Sequence, residues 1–191
     1  GVIEAVERFD ELQVLYVALR LDGRWPGHQA GQFAFVNFDA KEGAHPFTIS
    51  SAWQGDGHIT FLIKELGDYT RTLPDYLAVG HAAEIEGPYG QFTFQGPKLR
   101  QIWVGAGIGI TPFVARMKTL AGAPDGKQID LFHSTTVLDL RAIDKMEDDA
   151  ASAGVRLHVL HDARDGRLDA ARLCAAVPDW READVWFCGP P

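Results

Sequence analysis

Hydrophobic positions in the first half of the chain fall in short runs separated by turn residues. Leu12–Leu21 (LQVLYVALRL), Gln32–Phe38 (QFAFVNF), Phe47–Trp53 and His58–Leu66 (HITFLIKEL) are rich in β-branched, aromatic and leucine residues, the pattern of strands. Asp22-Gly23, Lys41-Glu42-Gly43 and Gly55-Asp56-Gly57 stand between them and mark turns. Gly1 precedes a further run of strand character. Many short strands with glycine-rich turns predict a small antiparallel barrel or sandwich. One helix is predicted over Tyr69–Ala78. Pro74 lacks an N–H and crowds the preceding turn, so the helix begins near Pro74 or bends there. Glu84–Gly87 then leads into Gly87-Pro88-Tyr89-Gly90.

The period changes near Gly96-Pro97-Lys98, the expected linker between a domain over residues 1–97 and a second over 98–191. Strand Gln101–Gly105, helix Thr111–Ala121, strand Gln128–Ser134, helix Leu140–Ala153, strand Val155–His161, helix Asp169–Ala176 and strand Asp184–Cys188 follow in turn. This alternation predicts a parallel sheet with helices on its faces. Ligands of such sheets lie beyond the carboxyl ends of the strands, here at Gly105–Thr111, Ser134–Thr136, His161–Asp165 and Cys188–Pro191.

The chemistry centres on Gln101–Phe113, QIWVGAGIGITPF. An apolar run ending in close glycines and opening a helix presents backbone N–H groups to a phosphate. The dinucleotide fingerprint G-x-G-x-x-G would need glycine at 110, and the residue there is Ile110. A phosphate loop and a plain glycine-rich turn both remain open from these residues alone. The chain has 191 residues and a net charge of −8. That acidity argues against a general nucleic-acid or anionic-membrane surface, though not against a local pocket for phosphate. The only cysteines, Cys174 and Cys188, are too few for a disulfide scaffold, an iron–sulfur cluster or a cysteine zinc site. No metal site is expected. No apolar stretch approaches the ~18 residues that span a bilayer.

Barrel, nucleotide domain and motifs together resemble the ferredoxin–NADP reductase superfamily. Within it, His45-Pro46-Phe47-Thr48-Ile49-Ser50-Ser51 resembles the flavin motif of ferric reductases and NADPH oxidases. The resemblance implies an antiparallel β-barrel that binds FAD, followed by an α/β domain that binds NADPH or NADH. His45 stands where other branches place a pyrophosphate-binding arginine, Phe47 where an aromatic meets the flavin, and Thr48 where a hydroxyl approaches flavin N5. Ile63 and Lys64 match a strand end whose backbone meets the nucleotide. Gly67-Asp68-Tyr69-Thr70 matches the loop and helix start that hold the pyrophosphate. Gly87-Pro88-Tyr89-Gly90 with Phe92 matches the barrel exit. Gly105, Gly107, Ile108, Gly109, Thr111 and Pro112 match the family's G-x-G-x-G-x-T-P loop, and Cys188, Gly189 and Pro190 match the motif beside the nicotinamide. Ser134 and Thr135 are candidates for the nucleotide end of the second strand, with Thr48 and Cys188 nearest the reacting atoms.

Hydride transfer needs two atoms held close and aligned, without a general acid or base. The resemblance implies a hydride passing from NAD(P)H to FAD, then single electrons to haem in a transmembrane partner, for reduction of ferric iron or oxygen. It also implies a place on the cytoplasmic face of a membrane. A reductase serving ferredoxin, flavodoxin or an oxygenase is the alternative, and a flavin-binding module without turnover a third. Ser134-Thr135-Thr136 carries neither the acid of NAD-specific folds nor the arginine of NADP-specific ones. The subfamily resemblance, with Arg141, Arg164 and Arg167 nearby, leans the expectation slightly towards NADPH, although each arginine also reads as a surface charge. The family's C-terminal helix and terminal aromatic are expected beyond Pro191, which puts nicotinamide docking by these residues alone in doubt.

Overall fold

The computed structural model describes residues 1–190; Pro191, placed above at the edge of the last strand, lies outside them. Two units are formed, Gly1–Thr93 and Phe94–Pro191. The division falls before Phe94 because that ring is buried among Trp103, Phe113 and Trp186 of the second unit.

In the first unit, β1 (Val2–Phe9), β2 (Val14–Arg20) and β5 (His58–Lys64) form one antiparallel sheet in the order β1-β2-β5. β3 (Phe33–Asn37), β4 (His45–Thr48) and β6 (Glu84–Tyr89) form another in the order β4-β3-β6. Alternation fixes the inner faces. Leu15, Val17 and Leu19 of β2, Ile59, Phe61 and Ile63 of β5, and Ala34 and Val36 of β3 are all buried in one cluster. Removing each large aliphatic or aromatic side chain of that cluster from water is worth roughly 1.5–3 kcal/mol. The predicted strand Phe47–Trp53 is displaced: β4 begins at His45 and ends at Thr48. There the chain changes sheets. Ile49 N–H donates to Gln32 O (3.0 Å), and Ser50 N–H donates to Thr60 O (2.8 Å). Pro46 is tolerated because β4 is an edge strand.

α1 (Asp68–Tyr76) runs through Pro74 without starting at it. Leu73 and Leu77 pack on the barrel cluster, and this burial outweighs the lost hydrogen bond.

The second unit is a parallel sheet in the order β10-β7-β8-β9, with β7 (Arg100–Ala106), β8 (Gln128–Thr135), β9 (Arg156–His161) and β10 (Ala183–Cys188). A 3₁₀ turn, Gly107–Ile110, joins β7 to α2 (Thr111–Gly122). α3 (Leu140–Ala153) and α5 (Ala170–Ala176) are the helices predicted, and a single turn, α4 (Asp162–Asp165), follows β9 unpredicted. α3 is bounded by the Asp139 carboxylate, which accepts the Ala142 N–H, and by Gly154 at φ 67°. Trp103, Phe113, Met117 and Leu120 fill one face of the sheet. Ile102, Phe132 and Val177 fill the other.

Candidate functional site

The glycine loop sits at the carboxyl end of β7, a central strand flanked by β8 and β10. Gly107 has φ +53° and open space around its α-carbon, so its requirement is conformational. Gly109 is different. A Cβ there would stand 2.6 Å from the Cys188 carbonyl carbon and 2.8 Å from the Gly189 nitrogen. A Cβ on Gly105 would meet Ile110 and Phe113 at 3.0 Å, and one on Gly189 would meet the Ala106 Cβ at 2.8 Å. The loop and the Cys188-Gly189 segment therefore touch backbone to backbone. The structure brings these two separated motifs together, with exposed Pro190 beside them. Gly107 is exposed and Ile108 half-buried, so the tip of the turn faces solvent. α2 begins directly behind it; the Thr111 N–H donates to Ile108 O and Pro112 has no N–H to offer, so the donors left on this side are those of the turn itself.

Several hydroxyls singled out from the sequence are committed within the protein. Thr111 Oγ1 donates to Ile108 O at 2.7 Å and closes the turn, while buried Pro112 occupies the first positions of α2. Thr135 Oγ1 donates to Val137 O at 2.8 Å. Ser134 Oγ donates to Asp162 Oδ1 at 2.9 Å. Two further residues frame this edge: His133, which no sequence pattern marked, and His161, which the sequence placed at the strand end without a role. His133, buried on β8, donates from Nδ1 to Gly105 O at 2.9 Å and so holds the strand end that launches the loop. Burial lowers its pKa, with the hydrogen bond to Gly105 opposing, and favours the neutral ring. His161 Nε2 donates to Thr136 O at 3.1 Å, and its backbone N–H donates to Asp165 Oδ2 at 2.9 Å. The Cys188 thiol is half-buried, and burial raises its pKa, so it is a neutral thiol at pH 7.

At the opposite, amino-terminal edge of the sheet a cleft of about 550 Å³ is lined by Arg100, Asp130 and Arg156 among others. Asp130 is fully buried there, paired with Arg100 and with Arg156 at 3.4 Å, and hydrogen-bonded to His158 Nε2 at 2.6 Å. These charges answer one another, and the glycine loop lies at the other end of the strands.

In the first unit the candidate flavin residues gather around β4 and the start of α1. His45 stacks on Tyr69 with ring centroids 4.2 Å apart, which places the imidazole beside the first turn of α1. Its Nε2 is buried without a hydrogen-bond partner among the described residues. The N-cap of α1 is Gly67, so Asp68 is the first helical residue and not the cap. Thr70 Oγ1 accepts the N–H groups of Leu66 and Gly67, each at 3.0 Å. The first-turn donors available to an anion are therefore those of Asp68, Tyr69 and Thr70. Ile63 buries its side chain in the barrel, leaving only backbone to face a ligand, and the Lys64 ammonium donates to Leu12 O.

Register separates Phe47 from Thr48. Phe47 pairs with buried Ala34 and packs towards Phe38 and Phe61, at 6.3 and 6.4 Å. Thr48 pairs with Phe33 and Pro46 with Phe35, on the other face of β4. That face carries an aromatic group of Phe33, Phe35 and Tyr89, with centroids 5.7–5.8 Å apart. The three rings and the Thr48 side chain are half-buried or exposed. Gly90 has φ +106°, and a Cβ added there would stand 3.3 Å from the Phe33 ring. An orphaned imidazole nitrogen, a helix start with open donors and a half-exposed aromatic face beside a hydroxyl are the donor and apolar set that a flavin nucleotide requires, and these residues fit it.

Residues 7–93 match the family model described as an FAD-binding domain. The reductase component of propane 2-monooxygenase from Rhodococcus jostii (strain RHA1) is 24% identical over 207 residues, covering 97% of this chain and 55% of that protein. A protein named NADPH oxidoreductase from Mycobacterium tuberculosis (strain ATCC 25618 / H37Rv) is 29% identical over 184 residues, covering 93% of this chain and 44% of its own length. This chain thus spans about half the length of the curated relatives it matches. The solved flavohem-like FAD/NAD binding domain of nitric oxide dioxygenase from Vibrio cholerae O1 biovar El Tor superposes with a TM-score of 0.81 over 99% of this chain and 86% of that one, at 19% identity. No helix among the described residues is long and apolar enough to cross a membrane. Antiparallel sheets that match an FAD-binding domain over residues 7–93, followed by a parallel sheet with a glycine loop at its carboxyl edge, give the chain the two-domain fold of the ferredoxin–NADP reductase superfamily.

Proposed function

We propose that this chain is the reductase module of an oxygenase system, taking reducing equivalents from a nicotinamide nucleotide through FAD and delivering them to an oxygenase, its ferredoxin or a haem-carrying partner. The observation that carries the reading is the backbone contact between the Gly105–Gly109 turn and Cys188-Gly189, in a chain whose other half matches an FAD-binding domain. When bound, the flavin accepts a hydride and releases electrons singly. The protein's part is positional. The first-turn N–H groups of α1 and His45 hold the pyrophosphate of FAD. The face shared by Phe33, Phe35 and Tyr89 supports a flat ring, with the Thr48 hydroxyl at its edge. The Gly107–Ile110 turn holds the nucleotide phosphates. Cys188, as a neutral thiol, offers a soft, uncharged wall beside the nicotinamide and leaves no thiolate to compete as a nucleophile.

An oxygenase-type acceptor is preferred to the transmembrane haem partner of ferric reductases and NADPH oxidases. The Rhodococcus relative is named as a monooxygenase reductase component, and the Vibrio domain belongs to a nitric oxide dioxygenase. The test is nicotinamide-driven reduction of ferricyanide by the full-length protein, with and without added FAD. Turnover that requires FAD supports the reading, and FAD binding without turnover returns the chain to a binding module.

A further inference from the structure

The chain that enters α1 is held from below by β1 and by the turn that follows it. Glu65 is the first residue past β5 and stands two positions before Gly67, the N-cap of α1. Its side chain is only 5% exposed. There the carboxylate takes the Arg8 guanidinium in a two-pronged pair, Nε donating to Oε1 and Nη2 to Oε2, both at 2.9 Å. Arg8 comes from β1, 57 positions away in sequence. The Glu65 backbone N–H donates to Gln13 O at 2.9 Å, and the neighbouring Lys64 ammonium donates to Leu12 O. The end of β5 is thus fastened both to β1 and to the turn between β1 and β2.

That turn is itself unusual. Gln13 has φ +49°, a left-handed backbone that a residue with a side chain adopts rarely and keeps only where its surroundings fix it. Its N–H donates to Asp10 O at 3.0 Å, and its carbonyl is the one that takes the Glu65 N–H. Arg8 also faces the helix. Its pKa is raised first by the hydrogen bond to Glu65, with burial opposing, and then by the charges of Glu65, Asp10 and Asp75. Asp75 is the last residue but one of α1. One guanidinium therefore addresses both the loop into the helix and the helix itself. Only Leu66 separates Glu65 from Gly67, and the N–H groups of Leu66 and Gly67 are both taken by Thr70 Oγ1. The open donors of Asp68, Tyr69 and Thr70 keep their direction only as far as Glu65 keeps its place, and a hydrogen bond weakens steeply off its line.

We infer that Arg8 and Glu65 are positioning residues for FAD, whose ion pair fixes the entry of α1 so that its first-turn N–H groups meet the pyrophosphate. This rests on the reductase reading above, in which α1 holds that pyrophosphate. The pair acts through the backbone that follows it and bears on the phosphate half of FAD. The flat ring, placed on the face of Phe33, Phe35 and Tyr89, does not depend on it.

The experiment is fluorescence titration of the full-length protein, freed of flavin, with FAD and separately with riboflavin, which carries the same ring and no pyrophosphate. The unaltered protein is expected to bind FAD at least about tenfold tighter than riboflavin, the worth of one hydrogen bond to a charged group. Glu65→Gln keeps the shape and removes the charge that holds Arg8. It is expected to weaken FAD binding by about tenfold and to leave riboflavin binding unchanged, a split that a general loss of stability would not produce. FAD affinity unchanged in Glu65→Gln, or FAD and riboflavin weakened alike, overturns the inference and leaves the reductase reading standing. If Glu65→Gln does not fold, Arg8→Lys decides, since it keeps the charge and loses the two-pronged geometry. A loss of about threefold or more for FAD alone then supports the inference, and a smaller loss, or one shared with riboflavin, overturns it. Riboflavin binding as tightly as FAD to the unaltered protein, or neither flavin binding, overturns the reading of α1 as the pyrophosphate site.

Discussion

Replacing Gly109 with alanine isolates the contact on which the nucleotide site is built. Gly109 does not need a left-handed backbone, so alanine meets no conformational penalty there. The added methyl instead meets three backbone atoms: the Cys188 carbonyl oxygen, its carbon at 2.6 Å and the Gly189 nitrogen at 2.8 Å. None of these is the far end of a flexible side chain, so the turn and the end of β10 must move apart. Overpacking of this kind costs about 1–3 kcal/mol. For a chain of this size that is a fall in Tm of roughly 2–4 °C per kcal/mol. The separation also moves the N–H groups meant for the nucleotide phosphates, so affinity for pyridine nucleotide should fall by more than tenfold while FAD binding stays unchanged. Differential scanning calorimetry and nucleotide titration measure the two effects. Gly126→Ala is the control: Gly126 has φ +76° in open space, away from the loop, so it should lower Tm modestly and leave affinity alone. Unchanged nucleotide affinity in Gly109→Ala would refute the claim that the loop and Cys188-Gly189 form one site.

Three further outcomes follow from other parts of the molecule. Thr70→Ala removes the acceptor of the Leu66 and Gly67 N–H groups, so it should cost about 1 kcal/mol of stability and weaken FAD binding; fluorescence titration measures the latter, and Thr70→Ser should restore it. Asp130→Asn strips the buried charge that answers Arg100 and should cost about 3 kcal/mol in denaturant unfolding with no change in nucleotide affinity, since this cluster lies at the opposite edge from the glycine loop. Burial lowers the pKa of both His28 and His133 below the ordinary 6.5. Each binds fewer protons folded than unfolded, so its contribution is complete above about pH 6.5 and is lost as pH falls from there through the folded value. Unfolding free energy should therefore decline between pH 7 and pH 5, and less steeply in His133→Asn.

Most of the architecture was legible because the two units obey different periods. Leu15, Val17 and Leu19 announce a strand with one buried face, and the strand–helix alternation after Lys98 announces a parallel sheet. Where the reading slipped, the cause was tertiary. The apolar run from Phe47 continues past Thr48, but the chain changes sheets there, and only hydrogen-bond partners record the corner. Pro74 signalled a break, yet Leu73 and Leu77 hold the helix on the barrel. The adjacency of Phe47 and Thr48 suggested that both address one ligand, but strand alternation sends Phe47 towards the barrel cluster and leaves Thr48 with Phe33 and Tyr89. Counting residues from His45 in steps of two could have revealed that division.

The site was legible wherever a motif is contiguous, as at Gly105–Pro112. It was hidden wherever function comes from neighbours across the sheet. His133 touches Gly105 through strand register, 28 positions away in sequence, and nothing in its local context marks it. Asp162 lies the same distance in sequence from Ser134. The parallel sheet, and not any spacing along the chain, brings Asp162 from the end of β9 to the end of β8. A sheet order deduced as far as β7-β8-β9, with its register, would have shown which of these residues meet.

The central claim is that a nicotinamide nucleotide held at the glycine loop reduces a flavin held at the barrel. Its most direct test is an anaerobic titration of the FAD-loaded, full-length protein with NADH and separately with NADPH, following the visible flavin absorbance. The account predicts bleaching by at least one of them that is complete at about one equivalent and is slowed or abolished in Gly109→Ala. An oxidised flavin spectrum that persists under excess NADH and NADPH alike, with FAD shown to be bound, would contradict it.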